Sequence, residues 1–370
     1  MKSLPYLLFD ILHIIISILS ESGFFMSKSH TLESDKTSIF RPKAASLVLV
    51  IGIILLFISI CLSIILGVAD INLSTVIQGI FHFDSTSTAH QIVYRLRLPR
   101  ALAATFIGAS LAVSGAIMQG MTRNALASPS IMGVTSGAMF TVSIAFAFIP
   151  VVSNTVIMLF AFIGAGLGAA LVFLIGALSK RGLTPMKLAL AGTAISALLG
   201  SISTGIALRF DVAKDISFWY AGGVAGVQWI NIKLLIPVAI AGLILAFFIS
   251  KSITILSLGE DVAAGLGQKV GLIKLLGTIV VLLLTGAAVA VGGTIGFVGL
   301  VVPHIVRFIV GSDYRLIIPC SAVLGALLLV LSDVVARLIH PPFETPLGAI
   351  TAIIGVPFFL YLARREGRGL

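Results

Sequence analysis

The chain has 370 residues, of which 58% are hydrophobic and 10% are charged, and its mean hydropathy is +1.17. This composition excludes a soluble globular protein and indicates a polytopic membrane protein. The formal net charge of +10 comes from Lys and Arg residues that are scattered in short loops between apolar runs. It therefore favours the positive-inside charge distribution of a membrane protein, and no nucleic-acid partner is predicted.

Residues 1–43 are predicted to form an N-terminal extension on the cytoplasmic side. Their apolar run, Leu4–Leu19, is interrupted by Asp10 and His13 and is short for a membrane span. A signal peptide is not predicted, because the segment lacks a small-residue cleavage site and a strongly basic start. We expect Met26 to be the true initiator, with an amphipathic surface helix in the segment before it as the alternative.

Residues 44–365 are predicted to form a single transmembrane domain, so the fold class is an all-α polytopic membrane protein with about ten transmembrane helices. Each predicted span is an apolar run long enough to cross much of a hydrocarbon core of about 30 Å. The predicted spans are Ala44–Val68, Ala101–Met121, Ile131–Pro150, Asn154–Leu178, Lys187–Leu208, Ile232–Ile249, Leu272–Val291, Ile295–Val310, Leu316–Ile339 and Pro346–Leu362.

The distribution of basic residues orients these spans. With the amino end inside, 17 of the 24 Lys and Arg residues lie in cytoplasmic segments and 7 lie in outer segments. This asymmetry places both termini in the cytoplasm. The two cysteines, Cys61 and Cys320, lie within apolar stretches and are expected to be inert core residues, so neither a disulfide framework nor a metal site is predicted.

The second span carries small residues where a lipid-facing helix would carry Leu and Ile, so it is expected to lie inside a bundle. Five of its residues match five residues of the seventh span at an offset of 178, which predicts an inverted internal repeat, with a chance match of small residues as the alternative. The matching residues are Gly108, Ala109, Ala112, Val113 and Gly115, against Gly286, Ala287, Ala290, Val291 and Gly293. Further close-packing pairs are Gly133/Gly137, Gly164/Gly168, Gly222/Gly226 and Gly292/Gly296.

Two motifs carry a resemblance to a known family. The first is Arg97-Leu98-Pro99-Arg100, followed by the small-residue span and by the turn from Asn124 to Pro129. The second is a glycine-rich turn into a proline-containing span, whose defining residues are Gly296, Gly299, Pro303, His304 and Arg307. Both resemble the permease subunits of ABC importers for ferric siderophores, haem and cobalamin. His304 is expected to make structural hydrogen bonds, with a metal ligand or proton relay as the alternative.

Residues 251–274 form the longest polar segment that is predicted to be cytoplasmic. Glu260 and Asp261 suit the start of a short helix, and Gly265 and Gly267 suit its end. A solvated loop helix would explain this pattern, whereas the resemblance implies an ATPase-coupling segment. Its coupling residues would be Leu258, Gly259, Glu260, Ala263, Leu266 and Gly267. The chain has no Gly-Lys dipeptide and hence no phosphate-binding P-loop, so it is expected to be a transport subunit without catalytic residues or a cofactor, with ATP and Mg²⁺ on a separate ATPase.

Asp333 and Arg337 are four residues apart and are predicted to form a helical ion pair. The resemblance implies that Arg97, Arg100 and Arg337 receive acidic side chains of an extracytoplasmic substrate-binding protein. It also implies a gate or translocation path at Thr184, Pro185, Met186, Gln119 and Asn124. Pro185 and Met186 depart from the small hydroxyl residues of the cobalamin member, which disfavours cobalamin as cargo.

The resulting hypothesis is an importer permease for a ferric siderophore in the bacterial cytoplasmic membrane. Its expected partners are a second permease chain, two cytosolic ATPase subunits and the binding protein. Haem and cobalamin remain alternative cargoes. An ion-driven secondary transporter is an alternative from another class, in which Asp333 would be the embedded carboxylate. A membrane scaffold without transport would not explain the arginine cluster and the coupling segment together.

Overall fold

The computed structural model describes residues 41–67, 71–177, 185–339 and 343–366, and most of the predicted N-terminal extension lies outside these ranges. Within them, nearly all regular structure is α-helical. The α-helices are α1 (Pro42–Ile65), α2 (Leu73–Phe81), α3 (Thr88–Gln91), α4 (Leu98–Thr122), α5 (Val134–Phe148), α6 (Asn154–Ala177), α7 (Pro185–Arg209), α8 (Ala213–Tyr220), α9 (Trp229–Ser257), α10 (Glu260–Gly265), α11 (Val270–Gly292), α12 (Val298–Val310), α13 (Tyr314–Leu338) and α14 (Leu347–Glu366). A π-helical turn, Ile92–Arg97, joins α3 to α4, and a 3₁₀ turn, Pro129–Met132, precedes α5.

Ten apolar helices occupy the positions of the ten predicted spans, which confirms the all-helical polytopic fold. Seven helices in the described ranges are long and apolar enough to cross a membrane: α1, the continuous α3–α4 helix, α6, α7, α9, α11 and α13. The other three, α5, α12 and the apolar part of α14, are shorter. With 15 and 13 residues, α5 and α12 are too short to cross alone, because a span needs about 20 residues.

Helix α4 is the centre of the bundle, as its small residues predict. Twenty of its 25 residues are buried, and it packs against α9, α11, α12 and α13. Two glycines allow the closest of these contacts. A Cβ atom on Gly108 would lie 2.8 Å from the carbonyl carbon of Gly325 in α13, and one on Gly115 would overlap the backbone of Gly299 in α12. Any side chain at these positions would force the helices apart.

The other predicted glycine pairs differ in what they contact. Gly133 and Gly137 pack directly on Gly164 and Gly168, so the first two pairs form one crossing between α5 and α6. Of the remaining two pairs, Gly222 and Gly292 make close contacts, whereas a Cβ atom on Gly226 or Gly296 would have no atom within 4 Å. The four-residue spacing of glycines therefore identifies a close helix crossing between α5 and α6, but the other two pairs do not form one.

Helices α4 and α11 run in opposite directions, as the inverted repeat requires. Ile107, early in α4, lies against Gly292 at the end of α11, and Met121, at the end of α4, lies against Gly277 near the start of α11. Each of the two helices is followed by an irregular turn and then by a short helix, α5 or α12. The order long helix, turn, short helix is therefore present in both halves.

The bundle has two ends, which are separated by the length of α4. At about 1.5 Å per residue, the 25 residues of α4 span about 37 Å. We call the end where α4 begins, next to Arg97 and Arg100, the arginine end. The end where α4 terminates is the coupling end, because a Cβ atom on Gly259 would lie 3.5 Å from Nη1 of Arg123, the residue that caps α4.

Candidate functional site

Three charged side chains from two helices meet at the arginine end. Nε of Arg100 in α4 donates to both carboxylate oxygens of Asp333 in α13, at 2.9 and 3.1 Å. Nη2 of Arg337 lies 3.0 Å from Oδ2 of the same carboxylate, which confirms the ion pair predicted from the spacing within α13. Asp333 is 1% exposed, so the two arginines surround a buried carboxylate. This carboxylate is thereby the electrostatic link between α4 and α13.

Arg97 and Arg337 cap the end of α1. Nη1 of Arg97 donates to the carbonyl oxygens of Ile64 and Ile65 at 2.8 and 2.6 Å. Nη1 of Arg337 donates to the carbonyl oxygens of Ser63 and Leu66 at 3.1 and 3.2 Å. Carbonyl groups in the last turn of a helix lack partners within the helix. The guanidinium groups satisfy them and attach α1 to the bundle.

The structure therefore brings together the three arginines that the resemblance assigns to binding-protein docking. All three are largely buried, and each makes hydrogen bonds within the chain. The most accessible partner in the cluster is Glu344, whose side chain is 43% exposed and accepts a hydrogen bond from Nη1 of Arg100 at 2.6 Å. The docking role of these arginines remains a prediction.

A second polar cluster lies near the coupling end and combines residues that the sequence assigned to different roles. The side chain of Gln119, which is 2% exposed, donates to the carbonyl oxygen of Leu300 at 3.1 Å. Its Oε1 accepts from Nη2 of Arg307 at 3.0 Å, and the same Nη2 lies 3.1 Å from the hydroxyl of Tyr314. Gln119 thus joins α4 to α12 and, through Arg307, to α13.

Asp313 caps α13 beside this cluster, and the sequence analysis did not single it out. Its Oδ1 accepts from the backbone N–H of Arg315 at 2.9 Å and from the Thr254 hydroxyl at 3.3 Å, and its carboxylate also pairs with the Arg315 guanidinium. Burial by itself raises the pKa of Asp313, but the hydrogen bonds from Arg315 outweigh it, so the pKa lies below the usual value of 3.8. An Asp directly before a long apolar run is a helix-start signal that could have identified this residue.

The predicted coupling segment forms the short helix α10 and its flanking turns. Gly259 precedes the helix with a φ angle of 134°, which favours glycine, and Ala263 is fully buried against the bundle. Oε1 of Glu260 lies 2.7 Å from Nζ of Lys274 at the start of α11. This segment also carries exposed apolar side chains, which we call the apolar ridge: Leu258, Val262 and Leu266, exposed by 58%, 47% and 64%.

The residues predicted for the gate lie on different elements in the described part of the chain. Thr184 lies outside the described residues, and Pro185 and Met186 are the first two residues of α7. Gln119 is buried in the cluster with Arg307, whereas Asn124 lies in the exposed turn after α4 and accepts from the backbone N–H of Leu126 at 2.8 Å. Their role as a gate or path remains a prediction.

The second family motif forms the turn into α12 and the first part of that helix. Gly299 provides the contact with α4, Pro303 lies inside α12, and Gly296 is open to its surroundings. The ring of His304 packs edge-on against Phe358 of α14, with 5.7 Å between ring centroids. Among the described residues, no three His, Cys, Asp or Glu side chains are placed to hold a metal ion.

Comparison with known proteins identifies the family to which this arrangement belongs. A profile of the FecCD transport family matches residues 55–365. The chain belongs to the FecCD transport family. This FecCD chain is a non-catalytic transmembrane permease subunit of an ABC importer, as the two motifs predict.

Two curated relatives and one solved structure are similar over most of the chain. The "Iron(3+)-hydroxamate import system permease protein FhuB" of Bacillus subtilis (strain 168) is 62% identical over 330 residues, 89% of this FecCD chain and 86% of that protein. The "Iron-uptake system permease protein FeuB" of the same organism is 48% identical over 309 residues, 84% of this chain and 92% of that protein. A structure described as an inward-facing conformation of a putative metal-chelate type ABC transporter has a TM-score of 0.76 and 30% identity, covering 86% of this chain and 99% of that one.

Proposed function

We propose that this FecCD chain moves a ferric siderophore into the cytoplasm as one of two permease chains in an ATP-driven importer. Both relatives described above carry names of iron-import permeases, which favours an iron chelate over haem or cobalamin as the cargo. The observation that carries the mechanism is the apolar ridge of Leu258, Val262 and Leu266 on a braced helix at one end of the bundle. A second permease chain, two cytosolic ATPases and an extracytoplasmic binding protein complete the proposed assembly.

The apolar ridge has the properties of a docking surface for the ATPase. Leu258 caps the end of α9, Val262 lies in α10 and Leu266 caps the end of α10, so the three exposed side chains belong to one short stretch of the chain. Exposed apolar side chains gain free energy when a partner covers them. Helix α10 itself is held by buried Ala263 and by the Glu260–Lys274 ion pair. We therefore expect a force on the ridge to reach the bundle through the buried contact of Ala263.

The coupling end is the cytoplasmic end in this proposal, which places both termini in the cytoplasm and the arginine end outside. ATP and Mg²⁺ bind the partner ATPase. At the outer end, an acidic side chain of the binding protein would compete with Glu344 for Arg100, because Glu344 is the exposed carboxylate of the cluster. Such charge complementarity sets docking orientation and association rate more than affinity.

The test is copurification of the chain from its native membrane in mild detergent, with the bound proteins identified by mass. Leu258→Asp and Leu266→Asp, alone and together, place charge on the ridge, and a form with Gly259 and Glu260 substituted removes the turn and the brace. Lys233→Gln changes an exposed residue near the start of α9, outside the predicted coupling segment, and is the matched control. We expect one ATPase per permease chain in wild type and K233Q, and loss of the ATPase in the ridge variants. Retention of the ATPase by the double ridge variant would refute the coupling assignment.

Cargo is tested in vesicles that hold the complete complex. Uptake of a ferric siderophore that requires ATP and the binding protein is the expected result. Uptake by the isolated chain without ATP would support the secondary transporter instead. The geometry disfavours that alternative, because both carboxylate oxygens of Asp333 are already paired with arginines.

A further inference from the structure

Helix α2 lies at the arginine end and carries exposed side chains that the proposed function does not use. One side of this helix packs on the bundle. Its buried residue Val76 shares an apolar cluster with Ile64 at the end of α1 and with Val93 of the π-helical turn. A Cβ atom on Gly79 would lie 3.4 Å from Cα of His90 in α3. These contacts give α2 a fixed place next to the end of the transmembrane helix α1.

The exposed part of α2 is divided into an apolar stripe and a polar stripe. The apolar stripe is Leu73, Ile77 and Phe81, which are four residues apart and exposed by 56%, 51% and 74%. The polar stripe is Ser74 and Gln78, which have the same spacing and are also exposed. Residues four apart lie on the same side of a helix, whereas successive residues are turned by about 100°. Helix α2 therefore presents one side to the bundle, one apolar side and one polar side.

This division distinguishes α2 from a transmembrane helix. Helix α1 packs on α13 and exposes apolar side chains on its other sides, among them Ile51, Ile53 and Phe57. A span surrounded by lipid needs no polar side, but a helix in the plane of the bilayer surface has lipid on one side and water on the other. The nine residues of α2 are also too few to cross a membrane, which takes about 20. The pattern of α2 is that of an interfacial helix.

The position of α2 along the bundle matches the surface of a bilayer. The 24 residues of α1 span about 36 Å, which exceeds a hydrocarbon core of about 30 Å, so the ends of α1 lie near the surface. An aromatic cluster lies at the same end. The ring centroid of Tyr94 is 5.0 Å from that of Phe83, which closely follows α2, and 5.3 Å from that of Trp229 at the start of α9. Because Tyr and Trp are enriched at membrane–water interfaces, this cluster independently indicates the level of the lipid headgroups.

We propose that α2 is an in-plane membrane anchor, whose apolar stripe binds the boundary between lipid headgroups and acyl chains at the arginine end. Lipid is favoured over a second protein chain as the occupant, because the lipid along the exposed side of α1 extends to the end of α1, where α2 lies. Burial of the stripe in that boundary removes apolar surface from water, while the polar stripe stays hydrated.

The anchor has a consequence for the arginine end. Through Val93, helix α2 is connected to the π-helical turn, and the same turn carries Arg97. An anchor in the headgroup layer therefore sets the height of Arg97 relative to the bilayer. This inference does not depend on the identity of the cargo or on the ATPase contact.

The test measures the depth of single nitroxide labels by electron paramagnetic resonance, on the full chain in nanodiscs together with the proteins that copurify with it. Cys61→Ala and Cys320→Ala first remove the two native cysteines. Collisions of each label with molecular oxygen, which concentrates in lipid, are compared with collisions with a water-soluble nickel chelate. Circular dichroism verifies that each labelled chain is folded.

The labels are attached to one new cysteine at a time. Ile77→Cys and Phe81→Cys place them on the apolar stripe, and Ser74→Cys and Gln78→Cys are the matched controls on the polar stripe of the same helix. Ile53→Cys, in the middle of α1, is the reference for the interior of the bilayer.

We expect the I77C and F81C labels to lie about 5–10 Å into the headgroup–acyl boundary and to collide mainly with oxygen. The S74C and Q78C labels should collide mainly with the nickel chelate. The I53C label should be deeper than all four.

Equal access of the nickel chelate to all four α2 labels would overturn the inference, because the apolar stripe would then face water. Shielding of the I77C and F81C labels from both reagents would also overturn it, because a protein chain would then cover the stripe. Neither outcome bears on ATP-driven uptake of a ferric chelate, so the proposed function would stand or fall by its own assays.

Discussion

The Asp333→Asn substitution tests whether the arginine cluster holds α4, α13 and α1 together. It keeps the shape of the side chain but removes the charge between Arg100 and Arg337. Arg100 would keep only its bond to Glu344, and Arg337 would lose its carboxylate partner while remaining buried. Removing one partner of a buried ion pair costs about 3–5 kcal/mol, because the remaining charge stays in a region of low polarity. We expect D333N to lower the free energy of unfolding by that amount.

The matched control is Glu344→Gln, which removes a carboxylate from the same guanidinium. Glu344 is 43% exposed whereas Asp333 is 1% exposed, and exposed ion pairs contribute less than about 1 kcal/mol. Both variants would be unfolded by denaturant in mixed micelles at neutral pH and compared with wild type. Equal losses in D333N and E344Q, or no loss in D333N, would refute the argument that burial of the pair determines its contribution.

Three further predictions concern packing, pH and coupling. Gly115→Ala should destabilise the chain by about 3 kcal/mol, because its Cβ atom would overlap the α12 backbone. Gly166→Ala, whose Cβ atom would have no atom within 4 Å, should be neutral or stabilising by up to about 1 kcal/mol. Unfolding in micelles measures both variants. The Asp313 carboxylate should contribute a constant free energy of unfolding at neutral pH. This contribution should be lost as the pH falls from 3.8, the usual pKa, through the lower pKa of the folded state. The difference in free energy of unfolding between wild type and Asp313→Asn should therefore shrink below pH 3.8. Leu266→Asp should abolish ATP-driven transport by releasing the ATPase, without changing the unfolding midpoint of the permease chain, because this side chain is 64% exposed.

Each of these predictions has an outcome that would contradict it. Equal destabilisation by the two glycine substitutions would mean that the close contact between α4 and α12 is not the cause of the stability loss. A stability difference for Asp313→Asn that persists unchanged at low pH would mean that the carboxylate charge is not the source of the effect. If the L266D complex still couples ATP hydrolysis to full transport activity, the apolar ridge is not part of the ATPase interface.

The spans and the local pairs could be predicted from the sequence because their causes are local. Long uncharged runs predict spans, and the four-residue spacing of Asp333 and Arg337 predicts an ion pair within one helix. The second bond of Asp333, to Arg100, joins residues 233 positions apart and depends on how α4 packs against α13. No local pattern encodes that distance. The same reason explains why Gln119 and Arg307 were assigned to separate roles although they share a hydrogen bond.

Other elements were missed because they are not apolar or are too short to show a clear period. The helix containing the second span begins at Thr88, well before the uncharged run at Ala101, because Arg95 and Arg97 lie on the π-helical turn and Arg100 lies in the first turn of α4. Helices α2 and α8 have nine and eight residues and lie in segments taken as loops. The cavity between α4, α11 and the turns before α5 and α12 was also not predicted, since its lining residues come from elements that are far apart in the sequence.

The backbone contacts at Gly108 and Gly115 have a consequence for how this protein moves. These contacts face two different helices, α13 and α12, from points two turns apart on α4. A rotation or one-residue slide of α4 would bring larger side chains against both backbones at once. We therefore expect α4 to keep its position in the bundle while the transporter opens and closes. Within this chain, helix α7 has fewer such constraints, because a Cβ atom on Gly200 or Gly205 would have no atom within 4 Å.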